Sequence, residues 1–519
     1  MTPLRIFIAI SVLSLGIFGQ SKADPYVTDP YVKDELLIKF RDRVARSKAI
    51  EVTTQLGLAS VESLGNTGWH RVRITNGRDP KVVAAGIKLE SEVEFAQPNF
   101  YYHLQANPND PQWGTGGLYG LPKISAPAAW DLTTGSSTVV VANIDTGMRY
   151  THEDLAANMW TNPGEIQGNG VDDDNNGLAD DFYGYDFYYN DPDPLDENGH
   201  GTHVGGTIGA VGNNLLGVVG VNWNVRIMAI KIYDADGFGT TSAMLVNAYN
   251  YVRMMKERGI NIRVTNNSYA GCDEACGYDQ ATKDALDAMG SAGILNVFAA
   301  GNNGWNNDTV AAPAYPAAYT SPGVLTVAAS TSTDARASFS NYGPITVDIA
   351  APGLVIQSTT ATSNSSYGAK SGTSMAAPHV TGAAALLAAH HPSLSAVSLK
   401  ATLMNRVDPL TGWDATPIRT NGRLNVFNSL QNPTICTLNI SQTSYDLSRK
   451  GGFVEVGVAS GTNCDYSVTS DQRWTRVQSG DVHSGSGAIR VYVNPSQGLS
   501  RTSHLNVGGQ SVLIRQGRF

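Results

Sequence analysis

The sequence predicts an α/β domain built on a parallel sheet, preceded by a small α+β unit and followed by an all-β sandwich. Three changes of texture along the 519 residues carry that prediction. Up to Tyr102, strand-like alternation mixes with helical spacing; from Ala126, short β-branched runs alternate with helical segments; past Leu430 the helices vanish, leaving short strands between Gly, Ser and Asn turns. A single core seldom organises more than about 250 to 300 residues, so a chain of this length is expected to hold several domains.

The first 23 residues read as a secretion signal, with Arg5 ahead of the apolar run Ile6 to Phe18 and small residues at Ser21 and Ala23. A membrane anchor is the alternative, but the run is shorter than the ~20 residues needed to span. Export to an extracellular, oxidising compartment favours disulfides for the four cysteines, grouped as Cys272 with Cys276 and Cys436 with Cys464. Of all residues 42% are hydrophobic and only 16% charged, which suits a globular protein; the net charge is -9 and no Lys/Arg block occurs, which argues against nucleic acid as a partner.

The α+β unit, residues 24–107, follows from two alternating runs, Asp34 to Phe40 and Trp69 to Ile74, and from helical spacing over Ala45 to Leu56 and Pro80 to Leu89. It ends at EFAQPNFYY, and the Pro/Gly/Asn cluster NPNDPQWGTGG reads as an exposed linker open to processing.

In the α/β domain, residues 108–430, the strand runs include VVVANID, VRIMAIKIY, IRVTNNS, ILNVFAAGN and VLTVAAS, separated by helical segments such as SAMLVNAYNYVRMM and ATKDALDAMGSAG. Functional residues are then expected at the carboxyl ends of the strands. Asp145 closes VVVANID; taken alone it reads equally as a strand-end cap. His200 stands in NGHGTHVGGTIGA, where glycines at 199, 201, 205 and 206 let a helix start abruptly, and His203 lies one turn further on. A metal pair would need the H-E-x-x-H spacing, which is missing, so His200 at the helix mouth is the candidate base and His203 a packing residue. Ser374 opens the apolar helix in SGTSMAAPHVTGAAALLAAH, with Pro378 in its early part; a capping serine is the alternative to a nucleophile beside free N–H groups.

Together, the order Asp, His, Ser and the extended motifs around each residue resemble the subtilisin-like serine proteases over residues 108–430. The resemblance implies an endopeptidase acting on protein or peptide substrates, with Ser374 as nucleophile, His200 as base and Asp145 orienting the imidazole. It implies an oxyanion donor in Asn302, where a turn residue is the alternative reading and suits Asn303 equally. It also implies two substrate-pairing segments, taken as Gly237, Phe238 and Gly239 on one side and Ser268, Tyr269 and Ala270 on the other.

A structural calcium ion is implied by the same resemblance, with Asp110, Asp154 and Asn214 as side-chain ligands and Val211, Leu216 and Val218 offering carbonyls. A second loop, VDDDNNGLADD, places Asp172, Asp174 and Asn176 ahead of Gly177 at EF-hand-like spacing, but Tyr183 replaces the glutamate of loop position 12. A solvated acidic turn is the alternative there. Residues 24–107 resemble the family's inhibitory propeptide, which makes the chain its own first partner, and a monomer is expected.

Residues 433–519 resemble a BACON-type β-sandwich in which Cys436 and Cys464 would bridge neighbouring strands. The lone Trp474 reads as core rather than as a platform for sugars, and glycan or surface binding is the open role of this domain. An adhesin built on a disabled protease scaffold is the competing reading, and an intact Asp, His and Ser set argues against it.

Overall fold

The computed structural model describes residues 31–41, 44, 46–100, 106–269, 278–311, 313–498 and 500–517. The expected signal segment 1–23, Ala270 and the Cys272–Cys276 pair lie outside the described residues. The chain forms two compact units, residues 1–104 and 105–519.

The first unit runs β1 (Tyr31–Phe40), α1 (Arg46–Gln55), β2 (Leu58–Ser63), β3 (Trp69–Ile74), α2 (Pro80–Ile87) and β4 (Val93–Phe100). Its strands form an antiparallel sheet in the order β2-β3-β1-β4. Alternate residues of β1, Leu36 and Ile38, meet Val72, Val83, Ile87 and Val93 in one core. Helix α2 begins where Asp79 accepts the Lys81 N–H at 2.8 Å and Pro80 takes the first helical position. Two features exceed the sequence prediction. LASVES forms the short edge strand β2, although it lacks a strongly apolar alternation. The EFAQPNF stretch is strand β4 at the opposite edge, where Pro98 costs little because an edge strand has one unpaired side.

The second unit continues with the short helices α3 (Gly120–Lys123) and α4 (Ala126–Trp130), then β5 (Gly135–Asp145), β6 (Gly184–Asp186), α5 (His200–Gly209), β7 (Asn224–Lys231), α6 (Ser242–Glu257), β8 (Ile262–Asn267), α7 (Gln280–Ser291), β9 (Leu295–Ala299), β10 (Val324–Ser330) and β11 (Ile349–Pro352). The hairpin β12 (Ile356–Thr359) and β13 (Tyr367–Lys370) precedes α8 (Thr373–His390) and α9 (Ala396–Asn405), and β14 (Asp408–Pro409), β15 (Gly422–Arg423) and α10 (Val426–Gln431) complete the α/β part. The nine-stranded sheet has the order β14-β15-β11-β10-β9-β8-β5-β7-β6 and is parallel except for the β14 edge. Strands buried on both faces explain the continuous apolar runs in the sequence. Helix α8 is buried without interruption from Met375 to Ala388, which is why it reads as apolar all round rather than amphipathic. The chain starts at β5, adds β6 and β7 on one side and β8 to β11 on the other, so the strand order reverses at β5. A parallel α/β sheet opens its crevice at that reversal.

The NPNDPQWGTGG stretch departs from the expected exposed linker. Pro108 and Asp110 are buried, the Gln112 N–H donates to the Gly217 carbonyl at 3.0 Å, and Trp113 packs on Trp130 at 5.5 Å between ring centres. Asp110 draws the segment inward because its carboxylate takes the Asn213 N–H at 2.8 Å.

The C-terminal part is a two-sheet β-sandwich within this second unit. One sheet is built from β16 (Asn439–Ile440), β18 (Gly452–Ala459), β22 (Gly487–Val493) and β20 (Thr475–Val477), and the other from β17 (Ser444–Ser448), β24 (Gln510–Gly517), β23 (Arg501–Val507), β19 (Asp465–Ser470) and β21 (Val482–Ser484). Val456, Val491, Val468, Leu505 and Ile514 fill the space between the sheets. Cys436 and Cys464 form a disulfide with 5.5 Å between their Cα atoms. Trp474 is half-buried against this core with the Arg501 guanidinium 4.1 Å over its ring, so it is not a bare face for sugar stacking.

The sandwich meets the α/β part through a buried charge cluster. Asp465, at the start of β19, takes Lys400 Nζ of α9 at 2.8 Å and both terminal nitrogens of Arg419 at 2.7 and 3.1 Å. Arg419 also reaches Asp348 at 3.2 Å. Burial opposes ionisation of Asp465, yet Lys400 and Arg419 outweigh it and hold this carboxyl well below the usual carboxylate range. Paired, bidentate geometry is what makes such a buried cluster tolerable.

Candidate active site

Asp145 is the last residue of β5 and His200 the first of α5, so both stand where the sheet order reverses. The close approach of these two ends depends on glycine. Gly199 adopts φ 89° to let the helix begin at His200, and a Cβ on Gly201 would lie 2.2 Å from the Gly147 carbonyl. His200 Nδ1 is 2.7 Å from Asp145 Oδ1, which also accepts the Thr146 N–H at 2.8 Å. A carboxylate only accepts, so Nδ1 carries the proton and Nε2 is left as the basic nitrogen. Burial alone would lower the His200 pKa; the Asp145 charge and its hydrogen bond reverse that, and the net shift is upward.

His203 has the packing role expected of it. Its Nε2 lies 3.0 Å from the Ile356 carbonyl and 3.1 Å from that of Gly368, pinning α5 to the β12–β13 hairpin. Burial pushes its pKa down to about 3, so the ring is neutral.

Ser374 is the second residue of α8, a position whose N–H has no acceptor within the helix. Its hydroxyl donates to the Ser268 carbonyl at 2.9 Å, and the Ser268 hydroxyl returns a 2.9 Å bond to the Ser374 carbonyl. Asn302 lies in the loop after β9. Its Oδ1 accepts both the Thr373 N–H and the Thr373 hydroxyl at 2.9 Å, which leaves the amide nitrogen without a partner among the described residues, 3.6 Å from where a Cβ on Gly372 would stand. Thr373 was not anticipated as an anchor, although a hydroxyl directly before the candidate nucleophile is a signal that can be read in the motif.

Gly237 and Gly239 have positive φ in the turn after β7, and the Phe238 side chain is 72% exposed at its tip. Asp234 shapes this turn by accepting the Phe238 N–H at 2.8 Å. On the other side Ser268 is buried, and the Tyr269 ring points into the core. Its hydroxyl donates to Asn267 Oδ1 at 2.8 Å and pairs with the Tyr249 hydroxyl at 2.7 Å, so the ring is engaged in the core.

The proposed calcium residues come together. Asp154 is fully buried and accepts the Asn214 amide at 2.8 Å and the Val218 N–H at 2.9 Å, while the Val211 N–H donates to the Asp154 carbonyl at 2.8 Å. Asn214 Oδ1 takes the Leu216 N–H at 2.8 Å. Asp110 Oδ1 is buried with no hydrogen-bond partner among the described residues. Burial, with Asp110 adding to it, pushes the Asp154 carboxyl up to about 6, and burial likewise raises Asp110. Two buried carboxylates with no cationic side chain paired to them among the described residues fit a divalent cation.

The VDDDNNGLADD loop gathers a second acidic cluster, with oxygens of Glu165, Asp172 and Asp174 within 4.8 Å of one another. Glu165, upstream of the loop, joins this cluster and accepts the Asp174 and Asp180 N–H groups, each at 3.1 Å, while Tyr183 stacks on Tyr150 at 4.3 Å between ring centres.

Comparison with known proteins agrees with this geometry. A model of the Subtilase family matches residues 136–431, and one of the Fervidolysin N-terminal prodomain matches residues 20–99. The chain is 32% identical over 400 residues to a thermophilic serine proteinase of Bacillus sp. (strain AK1), covering 77% of this chain and 88% of the relative. It is 36% identical over 324 residues to thermitase of Thermoactinomyces vulgaris, covering 62% of this chain and 99% of the relative. Subtilisin BL of Lederbergia lenta shares 36% identity over 293 residues, covering 56% and 91% respectively. With most of the length of these proteases matched and Asp145 paired with His200 at the sheet reversal, the chain belongs to the subtilase family and is a subtilisin-like serine endopeptidase with an N-terminal prodomain.

Proposed function

We propose that the enzyme cleaves peptide bonds through an acyl-enzyme on Ser374. The observation that carries this is the 2.7 Å bond between His200 Nδ1 and Asp145 at the sheet reversal, which leaves Nε2 free as a base. Ser374 exchanges the Ser268 carbonyl for His200 Nε2, gives up its hydroxyl proton and forms the Oγ–C bond to the scissile carbonyl. The Ser374 N–H and the Asn302 amide nitrogen take the developing oxyanion. His200 returns the proton to the departing amine as the C–N bond breaks, and a water deprotonated by the same nitrogen releases the acid. Asp145 holds the imidazole and stabilises its charged form. The 237–239 turn and the backbone of 268–270 flank the peptide as neighbouring strands. A sulfonyl fluoride is expected to label the active enzyme at Ser374 alone, as read by mass spectrometry of the digested protein; label on another serine, with Ser374 unmodified, would reject the assignment.

Residues 24–107 are read as an inhibitory propeptide and residues 1–23 as a secretion signal. The prodomain match supports the first, and the short apolar run after Arg5 supports the second. No helix among the described residues is long and apolar enough to cross a membrane.

A structural calcium ion belongs to the same reading, held by Asp110, Asp154 and Asn214 with carbonyls from Val211, Leu216 and Val218. The unpartnered, buried Asp110 oxygen supports it. The ion supplies charge compensation only, tying three segments that are distant in sequence. Binding to the folded state alone adds about 2.7 kcal/mol at a hundredfold excess over Kd, so the melting temperature is expected to rise with free calcium and fall in chelator. Asp154→Ala should abolish most of that response. Equal melting in millimolar calcium and after prolonged chelation would remove the ion from the account.

A further inference from the structure

Helix α5 has an unusual start. Its N-cap is Gly199, which has no side chain to satisfy the first helical N–H groups, although serine, threonine, aspartate or asparagine normally supplies that acceptor. Here the acceptor comes from Asp196, three residues upstream and buried. Asp196 Oδ1 accepts the Gly199 N–H at 2.8 Å, the Asn198 N–H at 3.0 Å and the Thr146 hydroxyl at 2.8 Å. Asp196 Oδ2 accepts the Thr202 N–H at 2.8 Å and the Thr202 hydroxyl at 2.6 Å. Five donors converge on this one carboxylate, and no Lys, Arg or His pairs with it among the described residues.

These bonds join the two elements that carry the Asp145–His200 pair. Thr146 directly follows Asp145, and its hydroxyl, while donating to Asp196, accepts the Gly201 N–H at 2.9 Å. Gly199 and Thr202 flank His200 on either side, and the Thr202 hydroxyl accepts the Arg149 N–H at 2.9 Å. The strand-end turn and the helix mouth are therefore locked through one buried carboxylate. Without it, the glycine-rich start that permits close approach would also permit sliding.

We propose that Asp196 is a positioning residue of the proteolytic site, fixing the turn after Asp145 to the N-terminus of the His200 helix so that the imidazole stays aligned. The proposal rests on the assignment of Asp145 and His200 above. It has an electrostatic side as well. The charged groups that act on His200 are Asp145 at the end of β5, Asp196 in the loop before α5 and Lys370 on β13, with His203 neutral on the same helix. Asp145 and Asp196 favour the imidazolium and Lys370 disfavours it.

The test uses the mature enzyme and a chromogenic peptide anilide, with active sites counted by sulfonyl fluoride titration. Asp196→Asn is expected to lower kcat by about 10- to 100-fold through misalignment, with KM little changed. Loss of a negative charge near His200 makes the imidazolium less stable, so the acidic limb of kcat/KM moves to lower pH, a displacement that weaker folding alone does not produce. Thr146→Val keeps the charge and cuts the link; it is expected to lower kcat by about tenfold and leave the limb where it was. A folded Asp196→Asn enzyme with both kcat and the limb unchanged overturns the proposal. If that variant does not fold, a Thr146→Val enzyme with normal kcat overturns it instead. Failure of the underlying assignment would show separately, as a wild-type enzyme that is not labelled at Ser374.

Discussion

Ser374→Ala is expected to reduce kcat by roughly six orders of magnitude, the size of loss known for a subtilisin triad, and to leave the chain as an uncleaved proform. The hydroxyl is the only part of the reacting set that alanine removes. The Ser374 N–H and Asn302 survive, so a residual rate about 10³ to 10⁴ above water remains from oxyanion binding alone. His200→Ala should fall by a similar order, and the double variant no further, because the two residues act as one unit. Gel analysis of the expressed chain and turnover of a peptide anilide check this together. A Ser374→Ala enzyme that turns over normally would sink the assignment.

Asn302→Ala is expected to cost about 100- to 1000-fold in kcat with KM little changed, since its donor strengthens only as the oxyanion forms. The geometry provides a sharper variant. Asn302 Oδ1 anchors Thr373 through two bonds while the amide nitrogen stays free, so Asn302→Asp keeps the anchor and removes the donor. It should lose at least as much kcat as alanine while melting closer to the wild type. A rise in KM with kcat unchanged would instead make Asn302 a ground-state contact and return attention to Asn303.

The parts of the fold that could be read from sequence are those where a local pattern and the final environment agree. Continuous apolar runs such as VVVANID lie in the middle of the parallel sheet, and the Ala-rich stretch of α8 is buried on every side. LASVES was invisible as β2 because it is an edge strand, held by pairing with β3 rather than by its own alternation. The stretch around Asp110 reads as an exposed linker because Pro, Asn and Asp mark loops by composition, whereas the family resemblance marks Asp110 itself as a calcium ligand; neither reveals that its carboxylate is claimed by the distant Asn213 N–H. Asp145, His200 and Ser374 were legible through extended motifs. Glu165 and Asp196 were not, since each acts across a loop closure that no sequence spacing encodes. An aspartate shortly before a helix with a glycine N-cap is the one clue that points toward Asp196.

The charge cluster at Asp465 bears on how the sandwich transmits position. A folded-state pKa held below the unfolded one contributes stability that is present above the unfolded value and is lost only as the pH falls through the depressed folded value. The seam therefore survives mild acid that would titrate ordinary carboxylates. A domain joined by a flexible tether meets its surroundings at an effective concentration set by tether length. Here Lys400, Arg419 and Asp465 join the sandwich directly to the α/β part, so lengthening the short connection after α10 is expected to leave the placement of the sandwich against the cleft unchanged until the seam itself comes apart.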